Sequence, residues 1–194
     1  MKKLFRPYFA FLMLGSLLFT AASCGDDDPA PDEEEDQELI TTATLTLVPE
    51  GKGQTVTATF SDPDGPGGTN ATIETLNLAP NTTYNAAITF SDDSQTPPVD
   101  ITAEIEAEGD EHQIFYEVLN TVSGQNLQEN LAVTNRNNDV NGLPLGLTAT
   151  VTTENTSSGA LRVTLKHQGE KKNASSGISV GETDVQAEFP VVIQ

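Results

Sequence analysis

Two histidines and the carboxylates beside one of them are the side chains of this sequence best suited to chemistry. Asp110, Glu111 and His112 stand in a row, and His167 is the second histidine of the chain. Imidazole and carboxylate groups together are ligands for zinc or copper. The fold has to bring His112 and His167 together for that, and their spacing along the chain does not say whether it does. The plain alternative is one surface histidine and one satisfied polar one. A second candidate is Asp62-Pro63-Asp64-Gly65, with Gly67 and Gly68 close behind. Calcium takes several oxygens from a tight loop, and Asp62 and Asp64 supply two carboxylates. Proline at the second position and glycine at the fourth are also what a type I turn selects. The further acidic positions of a calcium loop are missing.

Catalytic groupings are harder to find. A serine nucleophile needs a base and an orienting acid in contact with it, and the serines here stand in turn-like company. The glycines from Gly65 to Gly68 lack the lysine and the strand-to-helix setting of a phosphate loop. Paired carboxylates for glycoside cleavage would occur by chance in a chain with 29 acidic residues. No enzymatic activity is expected.

The one cysteine, Cys24, closes an N-terminal segment with the order of a secretory signal. Lys2, Lys3 and Arg6 lead, an apolar core runs from Tyr8 to Phe19, and Ala21, Ala22 and Ser23 precede the thiol. The core falls short of the roughly 20 residues of a transmembrane helix, so residues 1–23 are expected to leave as a signal peptide. A single cysteine excludes an intramolecular disulfide, and the body must rely on its hydrophobic core. Ala21-Ala22-Ser23-Cys24 resembles the lipobox of bacterial lipoproteins. That implies that Cys24 becomes the first mature residue and carries lipid on its sulfur and its new N-terminus. Several acyl chains anchor stably where one is marginal. Gly25-Asp26-Asp27-Asp28 is similar to the acidic signal that accompanies surface export of lipoproteins in Bacteroidota, which implies an outer-membrane, surface-exposed protein. Residues 24–38 continue with Pro29, Pro31 and a run of Asp and Glu. Stiffened by proline and extended by like charges, and unable to bury a core, they are expected to form a disordered acidic tether.

From residue 39 the pattern becomes alternation rich in Thr, Val, Ile and Phe. TTATLTLV, QTVTATF, TIETLNL and TTYNAAITF are followed by HQIFYEV, LAVTN, LGLTATVTT, ALRVTLK and DVQAEFPVVI. Period-two runs of this kind are half-buried strands. About nine of them joined by Gly, Pro, Asn and Ser turns predict an all-β, antiparallel, immunoglobulin-like β-sandwich over residues 39–194. Residues 100–108 are ambiguous. ITAEIEAE alternates like a strand, yet its Ala and Glu content suits a helix, and Ile101 and Ile105 share a helical face. Pro97, Pro98 and Gly109 bracket it, and together these signals predict a short helix closing one end of the sandwich. Thr59-Phe60-Ser61-Asp62 is echoed by Thr89-Phe90-Ser91-Asp92, as two strands leaving into acidic turns would be, without duplication.

Loss of the leader removes three of nine basic residues and none of the 29 acidic ones, so the formal charge moves from −20 to −23. Such a chain is repelled by nucleic acid and by anionic headgroups. The body from Ile40 to Gln194 resembles a group of small Bacteroidota lipoproteins of unestablished activity, through ITTATLTLVPEG, APNTTYNAAITF, EGDEHQIFYEV, NGLPLGLTATVTT, LRVTLKH and GETDVQAEFPVVI. The turn SDPDGPGG is shorter here than the aspartate-rich form of similar sequences. Members look like companions of TonB-dependent outer-membrane receptors. Some are labelled as type 1 periplasmic-binding folds, a label set aside because that fold needs two lobes of alternating strands and helices. The resemblance implies a lipid-anchored, non-catalytic binding or accessory protein whose partners are the membrane and such a receptor. The alternatives are a zinc- or copper-binding surface protein using His112 and His167 with Asp110 and Glu111, and a structural or adhesive surface protein.

Overall fold

The computed structural model describes residues 39–65 and 67–194; the leader, Cys24 and the acidic tether lie outside the described residues. Among the described residues, eleven strands and two short helices follow in chain order. They are β1 (Thr42–Pro49), β2 (Val56–Ser61), β3 (Thr72–Ile73), β4 (Leu76–Leu78), β5 (Thr83–Asp92) and β6 (Val99–Asp100). After α1 (Thr102–Ala107) come β7 (His112–Leu119), α2 (Leu127–Asn130), β8 (Leu131–Thr134), β9 (Thr148–Thr153) and β10 (Ser157–His167). A single 3-10 turn (Gly169–Lys171) leads to β11 (Glu182–Ile193).

The strands form two sheets. The larger runs β3-β2-β1-β5-β9-β8, with β6 paired to the end of β5, and the smaller runs β4-β11-β10-β7. Each named ladder is antiparallel except β4 on β11. Alternation decides which side chains face inward. Ala43, Leu45 and Leu47 of β1 and Tyr84, Ala86, Ile88 and Phe90 of β5 meet Leu161, Val163 and Leu165 of β10 and Ala187, Phe189 and Val191 of β11 in one buried cluster. This is the all-β sandwich the alternation predicts.

Two departures from the nine runs are informative. TIETLNL breaks at Glu74 and Thr75, so that Thr72–Ile73 extends the large sheet while Leu76–Leu78 crosses to the small one. The apolar positions slip by one across the break, from exposed Ile73 to buried Leu76 and Leu78. Val99–Asp100 adds a short strand ahead of the helix. The helix itself is present over Thr102–Ala107: Ile101 and Ile105 are buried while Ala103, which a strand would turn the same way, is exposed. The Asp100 carboxylate accepts from the Thr102 N–H at 2.9 Å, and Thr102 Oγ1 accepts from the Phe90 N–H at 2.8 Å, seating the helix on β5.

The repeated Thr-Phe-Ser-Asp also has a structural explanation. Phe60 of β2 and Phe90 of β5 flank Ala43 of β1 in the same register, and Thr59 and Thr89 flank Thr44. Two phenylalanines beside one alanine fill the inner face without crowding it.

Candidate functional site

Both histidines close inward-facing apolar rows of the small sheet. In β7, His112 precedes Ile114, Tyr116 and Val118 at alternate positions, and in β10, His167 follows Leu161, Val163 and Leu165. Because β7 and β10 are antiparallel neighbours, the first residue of one lies opposite the last of the other, and His112 pairs with His167. Their rings are 4.7 Å apart between centroids, tilted by 54°. The Gln168 N–H donates to the Glu111 carbonyl at 2.6 Å and extends the ladder past the pair.

A third group arrives from β11. Leu165 is opposite Val185 but Lys166 is opposite Thr183, so Asp184 is the extra residue of a β-bulge. Simple alternation would turn Asp184 away from Val185; a bulge bends the strand and re-aims the side chain. Asp184 Oδ2 lies 3.9 Å from His112 Nε2, and both side chains are fully enclosed. One ligand-type atom each from His112, His167 and Asp184 falls within 4.8 Å of the others, the one such grouping among the described residues.

Hydrogen bonds orient both rings. His112 Nδ1 is 3.2 Å from the Glu108 carbonyl. A carbonyl only accepts, so Nδ1 donates to it and Nε2 is the ring nitrogen turned toward Asp184. His167 Nε2 is 3.2 Å from Glu111 Oε2, which leaves Nδ1 on the buried side of that ring. Glu111 is 44 % exposed and forms the solvent side of the cluster.

A buried ion pair braces the same end of the sandwich. The Lys172 ammonium donates to the carbonyls of Gly109 and His112, the latter at 2.7 Å, and to Asp139 Oδ2 at 3.3 Å. Neither side chain is more than marginally exposed. Burial pushes the Lys172 ammonium below the ordinary lysine range, with Asp139 opposing. Burial pushes the Asp139 carboxyl up, and the Leu143 N–H and Lys172 more than reverse this, holding it low. The Asn141 and Leu143 N–H groups reach Asp139 Oδ1 at 2.9 and 2.8 Å.

The structure therefore gathers His112 and His167, joins Glu111 to them through His167, and leaves Asp110 exposed, its charge acting on Lys172. Asp184 has no signal in the alternation, since only the bulge brings it in. Parity does signal the histidines, because each occupies an inward position of its strand. Asp62 and Asp64 stand apart in their turn. Asp64 Oδ2 accepts the Thr69 hydroxyl at 2.6 Å and its N–H at 2.7 Å, and these bonds, the hydroxyl first, hold its carboxyl low. The Asp62 carbonyl accepts the Gly65 N–H at 3.1 Å, which closes the turn.

No family model, curated protein or solved structure matches the chain.

Proposed function

We propose that the chain is a lipid-anchored, non-catalytic binding or accessory protein of the bacterial outer membrane, exposed at the surface and assisting a TonB-dependent receptor. The observation that carries this reading is the placement of Cys24. The single thiol of the chain stands where the apolar leader and its small residues end and an acidic, proline-containing stretch begins. Lipid on that sulfur supplies the membrane attachment, and no helix among the described residues is long and apolar enough to cross a membrane. Charge supports an attachment of this kind: a chain at −23 once Lys2, Lys3 and Arg6 have left does not adhere to anionic headgroups by itself. Residues 24–38, drawn out fully, reach at most about 50 Å, enough to hold a sandwich clear of the headgroups and beside a neighbouring receptor.

Cys24→Ser tests the anchor. The variant is expected to lose incorporation of labelled palmitate and to leave the membrane fraction, and a variant that still labels refutes the lipid assignment. Affinity purification of the native protein from solubilised outer membranes tests the partner. A receptor recovered in stoichiometric amount supports the accessory role, and a protein recovered alone counts against it.

A further inference from the structure

We propose that His112, His167 and Asp184 form a binding site for a divalent transition ion of the zinc or copper class, with Glu111 as the residue that positions His167. The inference is independent of the membrane anchor.

Four features of the site converge on a cation. Its donor set, two imidazoles and one carboxylate, suits zinc and copper and is poor in the oxygens that calcium and magnesium require. Three adjacent strands supply the donors, so the sheet ladder holds them in place: β7 and β10 by register, β11 through its bulge. Both histidines already have the outer-ring bond that metal-binding histidines use. His112 Nδ1–H points to the Glu108 carbonyl and presents Nε2, while His167 Nε2 faces the Glu111 carboxylate and presents Nδ1. Such outer bonds set the tautomer and raise the basicity of the ligating nitrogen. Finally, the charge is right. One enclosed carboxylate with a second behind His167 offsets a divalent ion, and the acidity of the whole chain concentrates cations at its surface. Lys172, which donates to the His112 carbonyl, is the opposing charge nearby, and Asp139 neutralises it.

The spacing requires a modest contraction. Tetrahedral zinc with bonds of about 2.0–2.1 Å places its donors roughly 3.3 Å apart. The His112–Asp184 edge of 3.9 Å closes by about half an ångström and the widest 4.8 Å spacing by about 1.5 Å. Ring tilts at the strand ends accommodate this, because His112 begins β7 and His167 ends β10. Three protein ligands leave one coordination position open. Exposed Glu111 marks the side from which an ion enters and to which that position opens. The arrangement suits an ion that is captured and passed on, in a protein held at a surface.

The test uses the full chain carrying Cys24→Ser, purified from the soluble fraction, so that a thiolate does not compete. Calorimetric titration with ZnCl2 and with CuCl2 is expected to show one saturable site per chain that equimolar CaCl2 and MgCl2 do not displace. Asp184→Asn and His167→Gln should weaken it at least tenfold, and Glu111→Gln by about 10- to 100-fold with unchanged stoichiometry. Gln replacements of Glu33, Glu34 and Glu35 in the tether should leave it unchanged. X-ray absorption of the zinc-loaded parent chain should show imidazole scattering from two histidines, and this readout stands even where a variant fails to fold. The proposal is overturned by absence of saturable binding, by full affinity in folded Asp184→Asn and His167→Gln variants, or by an oxygen-only shell around the zinc. In each case the cluster is a buried structural pair only.

Discussion

Replacing Lys172 by methionine removes a charge while keeping most of the stem's volume, and the structure sets the size of the response. In the parent, the ammonium satisfies the Gly109 and His112 carbonyls and neutralises Asp139, whose side chain is 1 % exposed. In Lys172→Met, Asp139 keeps only the Asn141 and Leu143 N–H groups as donors. An uncompensated carboxylate is then buried, and breaking one side of a buried pair costs about 3–5 kcal/mol. For a domain of this size each kcal/mol is worth about 2–4 °C, so the midpoint should fall by about 6–20 °C. Asp139→Asn removes the stranded charge, and the double variant should lose less than the sum of the two singles, with a coupling of about 1–3 kcal/mol. Urea and thermal unfolding of all four proteins at neutral pH measure the cycle. A Lys172→Met loss below about 1 kcal/mol, comparable to an exposed pair, would refute the claim that this bridge fastens the end of the sandwich. The pH dependence has a definite sign. Asp139 titrates lower in the folded state than in the unfolded one, so its contribution is complete above the unfolded value near pH 4 and is lost as pH falls through the folded value. Lys172→Met should flatten that acid limb.

Other consequences follow from close packing. Gly181 has φ +73° and its added Cβ would collide with the His167 carbonyl oxygen and stand 2.7 Å from Gln168 Cα. Gly181→Ala should therefore cost about 2–4 kcal/mol in urea unfolding, and a change within about 0.5 kcal/mol would show that the 181 turn does not press on β10. Phe189 is fully buried between the sheets; Phe189→Ala should cost about 3–5 kcal/mol, and a smaller loss would mean that the core collapses into the space.

Most of the strand architecture was legible because a sandwich leaves an inner and an outer face on every strand, and β5 and β11 alternate almost without interruption. The helix at Thr102–Ala107 was legible from Ile101 and Ile105, four apart and both buried. The crossing between sheets within TIETLNL was not, because strands of two and three residues are too short for alternation to reveal a change of partner. At the candidate site the same division holds. His112 and His167 stand at inward positions of their strands, so parity alone turns both toward the core. Their meeting depends on register: it requires β7 and β10 to be neighbours, paired so that one begins where the other ends.

By itself the sequence determined that the body is built of strands, that Cys24 stands alone at the edge of an apolar leader, and that the chain carries a large negative charge. These are properties of composition and local order, and they need no knowledge of which segments touch. The tertiary structure decided which strands are neighbours, that Asp184 joins the two histidines, and that Lys172 reaches across to Asp139. Each is a contact between residues far apart in the chain. The first depends on ladder pairing, the second on one extra residue in β11 that reverses the expected face of a single side chain, and the third on a long stem whose ammonium reaches the Gly109 and His112 carbonyls as well as Asp139.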